Sequence, residues 1–440
     1  MRIELPDKVT YIIRTLQAHG YEAYAVGGCV RDSLLGRIPE DWDITTSADP
    51  YATKALFTRT IDTGIRHGTV TVMCGKQGFE VTTYRIDGEY EDGRHPKQVS
   101  FTKSLKEDLA RRDFTINAMA YNEEDGLIDR FGGSADLKQR VIRCVGDPGS
   151  RFDEDALRIL RAFRFAAQLD FSIEEKTYAA AKDKAVNLGR ISAERIQTEL
   201  NKLLLSGHPE LLVSACEAGL TAVFLPEFDR LMEAGPFGNG SGVPAVEALK
   251  ALVCEPDAAA IRTIWRGDVP KERLILSLTV LLHAAGEKAA FGAMKRLKYD
   301  NETIRSVCHL IRYYGYDWPL TPVGIRMAMH EIGTESMRLL LLLRAVQNLP
   351  GKGEEAEAVL ESVRLYEGIL RRRECVSLKD LAVTGEDLIQ IGFKPGRSLG
   401  EILGRLLMQV IEDPEKNRRE ILLAETERMA DEYQSKGSRM

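Results

Sequence analysis

Asp41 and Asp43 flank Trp42 in the run DWDITT, whose β-branched residues read as a strand. Period-two geometry puts the two carboxylates on one face, where they repel each other unless a divalent cation neutralises them. Mg²⁺ suits the position, because it takes one or two carboxylates together with substrate phosphates. Upstream, Gly27 and Gly28 follow a strand-like run, and Arg31 and Asp32 come next, in what reads as the first turns of a helix. Glycine at a strand-to-helix turn lets the backbone approach a phosphate closely. Taken singly, a glycine pair is a turn and an Asp-x-Asp is a solvated strand end; their order is what metal-assisted nucleotidyl transfer needs. Of two Mg²⁺ ions, one would lower the pKa of an attacking hydroxyl and the other would hold a triphosphate and stabilise departing pyrophosphate.

Two more clusters follow. In RRDFTINAMAY, Arg111, Arg112, Asp113 and Asn117 precede an apolar stretch. Alone this is a charged helix start; beside a nucleotide site, arginine supplies donors to phosphate or ribose and Asp113 could accept from a 2′-hydroxyl. In EDALRILRAFRFAAQ, Ala156, Leu160, Phe163 and Ala167 form an apolar helical stripe, while Asp155, Arg158, Arg161 and Arg164 step by three residues around the opposite side. Three arginines with one acid leave positive charge that a triphosphate would meet. A paired Asp155 and Arg158 would accept from an exocyclic amine and donate to a ring nitrogen, a pattern cytosine and adenine share and uracil and guanine do not.

These residues need a sheet and helices to hold them. YEAYAVGG, DWDITT, GTVTVMC and GFEVTTYRI read as strands of one mixed sheet, preceded by a helix in VTYIIRTLQAHG that ends at Gly20. From Arg151 onward the chain reads as helical and the strands do not return. At 440 residues, two to four domains are expected. A composition of 44% hydrophobic and 29% charged residues excludes long disorder. No run is apolar enough to cross a membrane, and RLLLLLRAVQNL, broken by Arg338 and Arg344, reads as a core helix; the chain is expected to be cytoplasmic. Seven widely spaced cysteines without CxxC read as reduced and mostly buried, and the seven histidines include no adjacent His-Asp pair. The net charge of −6 leaves room only for a local basic face. Two stretches read as loops, DGEYEDGRHPKQVSF and Ala234 to Pro244.

GGCVRDSLLG followed by EDWDITT resembles the head signature of bacterial class II CCA-adding enzymes and the related poly(A) polymerases. RRDFTINAMAY resembles the family's ribose-selecting motif, with Arg112 matching its nucleotide-contacting arginine. The EDALRILRAFRF stretch resembles the motif whose acid and arginine act as an amino-acid template, here Asp155 and Arg158. ISAERIQTELNKLL resembles a further neck motif, with Glu194 and Arg195 as bracing residues. The specific likeness ends near Leu205. It implies an α+β chain: a nucleotidyltransferase head with a small mixed sheet (1–145), then an all-α neck (146–207), body (208–330) and tail (331–440). It further implies tRNA as partner, ATP and CTP as substrates, two Mg²⁺ ions, Glu80 in GFEVTTYR as a candidate further carboxylate on a neighbouring strand, and a nucleotide surrounded by Gly28, Arg31, Arg112, Asp155, Arg158, Arg161 and Arg164. The first loop is the family's aid to the switch from C to A addition, and Lys394 and Arg397 near the C-terminus are equally a phosphate contact or a loop. An A-adding enzyme or poly(A) polymerase shares these motifs; a catalytically inactive RNA-binding protein does not need the acid pair. The oligomeric state, monomer or homodimer, is left open.

Overall fold

The computed structural model describes residues 2–87, 99–233, 245–252, 259–266, 269–348 and 353–437. Residues 88–98, most of the first expected loop, lie outside these, as do Ala234 to Pro244 and Cys254. The chain forms two compact units, one of residues 1–229 with 296–298 and one of 230–295 with 299–440.

The first unit opens with α1 (Asp7–Ala18), whose Val9, Ile12, Ile13 and Leu16 form the buried stripe expected of VTYIIRTLQA. A mixed sheet follows, built from β1 (Ala23–Val26), β2 (Ile44–Thr46), β3 (Thr60–Gly64), β4 (Thr69–Cys74) and β5 (Gln77–Thr83). A separate hairpin pairs β6 (Arg85–Asp87) with β7 (Val99–Phe101), and β8 (Met119–Asn122) and β9 (Gly126–Asp129) complete the main sheet. The order is β3-β4-β5-β2-β1-β8-β9; β2 and β5 run parallel and every other pair is antiparallel. Every side chain of β1, β2 and β8 is buried, as the centre of a covered sheet requires.

The four expected strands are present with shorter bounds, whereas β3, β8 and β9 were not anticipated. The apolar AMAY run after Asn117 is strand and not helix, because it lies against β1 with Ala25 opposite Tyr121. Asp41 and Asp43 are not strand residues: β2 begins at Ile44, and the two aspartates form the extended lead-in to it.

Short helices flank the sheet: α2 (Gly28–Leu34), α3 (Pro50–Leu56), α4 (Leu105–Ala110) and α5 (Gly133–Gln139). Then come α6 (Pro148–Glu154), α7 (Leu157–Leu169), α8 (Glu175–Asp183) and α9 (Ala193–Leu204). One pair of β residues does return: Ser172–Ile173 lies parallel to Val141–Ile142. The stripe Ala156, Leu160, Phe163 and Ala167 is buried as expected, but so are Arg158 and Arg164. Of the arginines across from the stripe only Arg161 keeps partial exposure.

The second unit is helical throughout its described residues. Its helix Thr334–Asn348 is a core element with Leu339 to Leu343 buried, and Arg338 is neutralised by Glu335 and Glu272. No described helix is long and apolar enough to cross a membrane. Four of the six described cysteines are buried and all six are unpaired. Arg397 begins the helix Arg397–Glu412 and pairs with Glu401 of the same helix.

Gly133 opens α5 directly against the turn at Thr115–Asn117, and a Cβ there would lie 2.2 Å from the Thr115 carbonyl oxygen. Backbone would have to move, so Gly133→Ala is expected to lower the unfolding free energy by about 1–3 kcal/mol. Chemical denaturation reads this directly, and an unchanged midpoint refutes it.

Candidate active site

Gly27 turns the chain from β1 into α2 with φ of 82°, and its amide donates to the Met119 carbonyl at 3.1 Å. A Cβ at Gly27 would come within 3.0 Å of Arg112 Nη1. Gly27 is therefore the residue of the pair that must lack a side chain, both for its conformation and for the approach of Arg112. Gly28 has a negative φ and is the first residue of α2. The Val26 amide donates to the Asp43 carbonyl at 3.0 Å, which pins the aspartate backbone beside this turn.

Parallel pairing of Ile44 with Val81 carries Glu80 alongside Asp43. The three carboxylates sense one another. Partial desolvation by the surrounding protein, together with Asp41, pushes the Asp43 carboxyl above its usual range against the opposing pull of Arg112. Glu80, whose side chain is exposed, is likewise raised by desolvation and then by Asp43 and Asp41. Asp41, Asp43 and Glu80 thus lie within one another's field, although the strand period that predicts one face for the two aspartates does not reach them. Among the described residues no group of three or more His, Cys, Asp or Glu could hold a metal ion, so Glu80 does not complete a ligand set with the two aspartates. Arg112 lies 3.5 Å from Asp108, and its Nε is buried without an acceptor, a donor set that fits an anionic substrate.

The remaining predicted residues form a connected polar network. Arg31 donates to both Asp32 oxygens at 2.9 Å and to Asn117 Oδ1 at 2.7 Å. Asn117 donates to Asp113 Oδ1 at 3.2 Å, and Arg161 forks onto Asp113 Oδ2 at 2.9 and 2.7 Å. Burial alone would raise the Asp113 carboxyl, but Arg161 and Asn117 hold it far below the usual carboxylate range. Glu199 of α9 then accepts from Arg164 Nε at 2.8 Å and lies 3.4 Å from Arg161. Burial lowers Arg164 to about 10, with Arg161 adding to the effect and Glu199 opposing it. Three guanidiniums surround the Phe165 ring, those of Arg164, Arg31 and Arg161 at 3.4, 5.1 and 5.2 Å from its centroid.

Several sequence expectations change here. Asp155 is not on the helix with the arginines; it caps α6 in an extended conformation, one residue before the Ala156 cap of α7. It does not pair with Arg158. It takes Arg195 of α9 at 2.7 and 3.2 Å, the bracing expected of that arginine, while Arg158 binds Glu154 and donates to the carbonyls of Arg111 and Arg151. The positive charge of Arg158, Arg161 and Arg164 is met by Glu154, Asp113 and Glu199, and so calls for no triphosphate. The oxygens of Asp113 are taken by the Phe114 amide, Asn117 and Arg161. Glu194, named beside Arg195, is exposed. Glu199 and Asp108 were missed, although Glu199 stands on an apolar stripe with Ile196, Leu200 and Leu203, where an unpaired carboxylate is costly.

Comparison with known proteins gives this arrangement its class. The family profile described as Poly A polymerase head domain matches residues 23–143, and that of tRNA nucleotidyltransferase domain 2 matches residues 271–426. A CCA-adding enzyme of Enterococcus faecalis is 37% identical over 433 residues, covering 97% of this chain and 96% of the relative. One from Lactiplantibacillus plantarum is 38% identical over 424 residues, with 96% and 95% covered. The crystal structure of the Bacillus stearothermophilus CCA-adding enzyme in complex with CTP superposes with a TM-score of 0.75 at 30% identity, covering 98% of this chain and all of that one. The chain belongs to the CCA-adding enzyme family of nucleotidyltransferases.

Because the Asp113 carboxyl is held low in the folded state, it stabilises the fold fully above the ordinary carboxylate range, and that share is lost as pH falls toward its folded value. Asp113→Asn is expected to make stability less steeply dependent on pH on the acid side, seen as a shallower fall in Tm between about pH 5 and pH 3. Parallel wild-type and variant curves would rule this out.

Proposed function

We propose that this chain adds C, C and A in turn to the 3′ end of tRNA, using CTP and ATP without a nucleic-acid template. The observation that carries the reading is the coupled set Asp41, Asp43 and Glu80 beside Arg112, reached over a glycine turn. Asp41 and Asp43 would hold two Mg²⁺ ions. Bound there, Mg²⁺ supplies the charge that lowers the pKa of the attacking 3′-hydroxyl and neutralises departing pyrophosphate.

Arg112 offers its unpaired Nε to a phosphate oxygen, and the Gly27–Gly28 turn lets the triphosphate approach the backbone. Arg31 acts through Asn117 and Phe165 to hold this segment in place, and Arg161 and Arg164 order the neck. Asp155 reads the base, and Arg158, whose guanidinium is engaged by Glu154 and two carbonyls and whose amide donates to the Asp155 carbonyl, would join it only by giving up one of those bonds. Arg195 engages one side of the Asp155 carboxylate and fixes its orientation; with about four lone-pair sites, that carboxylate keeps an acceptor for an exocyclic amine. Residues 1–145 form the head that performs transfer and 146–207 the neck that selects the nucleotide. The body and tail, 208–330 and 331–440, grip the tRNA. The chain works in the cytoplasm, where uncapped tRNA is made.

Incorporation on three tRNA transcripts, lacking CCA, ending in C and ending in CC, tests the whole reading: stepwise C, C and A followed by arrest is expected. A alone on the CC-ended transcript would identify an A-adding enzyme instead, and long A runs a poly(A) polymerase. Asp43→Ala should cut incorporation about a thousandfold or more while tRNA binding survives. Asp155→Ala should lower the preference for CTP over UTP by about tenfold to a hundredfold in kcat/KM, and unchanged selectivity would remove Asp155 from base reading.

A further inference from the structure

Asp108 is a carboxylate with no exposed surface in the last turn of α4. Its Oδ1 accepts from Arg111 Nε and Nη2 at 3.0 and 2.8 Å and from the Arg85 amide at 3.4 Å. Its Oδ2 lies 3.1 Å from the Thr45 hydroxyl, whose single proton the Thr82 carbonyl at 3.3 Å shares, and 3.5 Å from Arg112 Nη2. One carboxylate therefore serves two guanidiniums, and Arg111 takes the tighter share. Arg112 is held to it by one long contact, has a buried Nε without an acceptor, and rests its Nη1 against Gly27. Gly27 follows Val26, whose amide fixes the Asp43 backbone, so Asp43 is a second anion within the field of Arg112.

Those two carboxylates compete for one cation. Were Arg112 to pair fully with Asp43, the oxygens meant for a divalent ion would be occupied and no guanidinium would remain for a phosphate. The Asp108 side of the contest is anchored from elsewhere: Arg151 donates to the Ala110 carbonyl at 3.1 Å and Arg158 to the Arg111 carbonyl at 2.9 Å. These bonds cap the end of α4 and keep Asp108 from following Arg112.

We propose that Asp108 is a positioning residue that holds Arg112 off Asp43, keeping Asp43 open to a divalent cation and Arg112 open to the substrate phosphate. The inference rests on the reading of Asp41 and Asp43 as a metal-binding pair. Thr45 shares Oδ2 with Arg112, so removing its hydroxyl strengthens the hold of Asp108 on the arginine, whereas a purely structural tie between Asp108 and β2 would be weakened by the same change.

The test is Mn²⁺ binding by the full chain without nucleotide, followed by the electron paramagnetic resonance signal of free Mn²⁺, with circular dichroism as the check on folding. Asp108→Asn keeps the shape and removes the charge, and should weaken Mn²⁺ binding roughly tenfold, the scale of one neighbouring charge in a partly buried site. Adding Arg112→Gln to it should restore binding to the wild-type level or better. Thr45→Val, which keeps the strand's shape, should bind Mn²⁺ at least as tightly as wild type, and this arm decides the matter if Asp108→Asn does not fold. The proposal is overturned if Asp108→Asn stays within about twofold of wild type, a change too small for a neighbouring charge. It is also overturned if the double variant is as weak as the single, or if Thr45→Val weakens binding. Asp43→Ala separates the two readings: Mn²⁺ retained there at full affinity would defeat the metal-pair assignment itself, while its loss alongside an unaffected Asp108→Asn would defeat the positioning role alone.

Discussion

The bond between Arg161 and Asp113 is the constraint on which the first unit depends. Arg161 belongs to α7 and Asp113 to the segment that leads into β8, so this fork ties the helical neck to the sheet. On one side it continues through Asn117 to Arg31 and Asp32, and on the other through Glu199 to Arg164 and Gln168. Desolvating so many charges is costly, and only complete pairing offsets it. The same completeness makes the network specific: few other packings of these helices satisfy every member at once.

Phe165 explains why three guanidiniums can approach one another. Its ring face attracts cations, it stands edge-on to Phe114 at 5.8 Å, and its burial excludes the water that would otherwise screen the arginines. Arg164, closest to the ring, has the lowered pKa of a cation that burial disfavours. The aromatic ring and the shared carboxylates act together, the first by shape and quadrupole, the second by charge.

The acid cluster runs on the opposite logic. Where the Asp113 and Glu199 network pairs every charge, Asp43 and Glu80 are raised by desolvation, to which the neighbouring acids add. Such incomplete compensation is what the proposed metal-binding role of Asp41 and Asp43 requires. Asp108 stands at the border between the two regions, paired with Arg111 on one side and holding Arg112 loosely on the other.

Local chemistry was legible in the sequence wherever it rests on short spacing. The glycine turn, the α1 stripe and the buried stripe of α7 follow from the period of 3.6 and from residue type, and all are present. The likeness to CCA-adding enzymes lay in the same short runs. Partnership across long separations was not legible. Asp155 was matched to Arg158 because they are near in sequence, yet Arg195, forty residues on, takes it. Asp113 and Glu199 met the arginines once assigned to a triphosphate. A charge three residues away on a helix is a candidate partner only; which charge is used depends on the helices and strands packed against it, and on burial that leaves no ion unpaired at low cost. Tertiary packing alone made β3, β8 and β9 strands and buried Asp108 as a hub between two arginines.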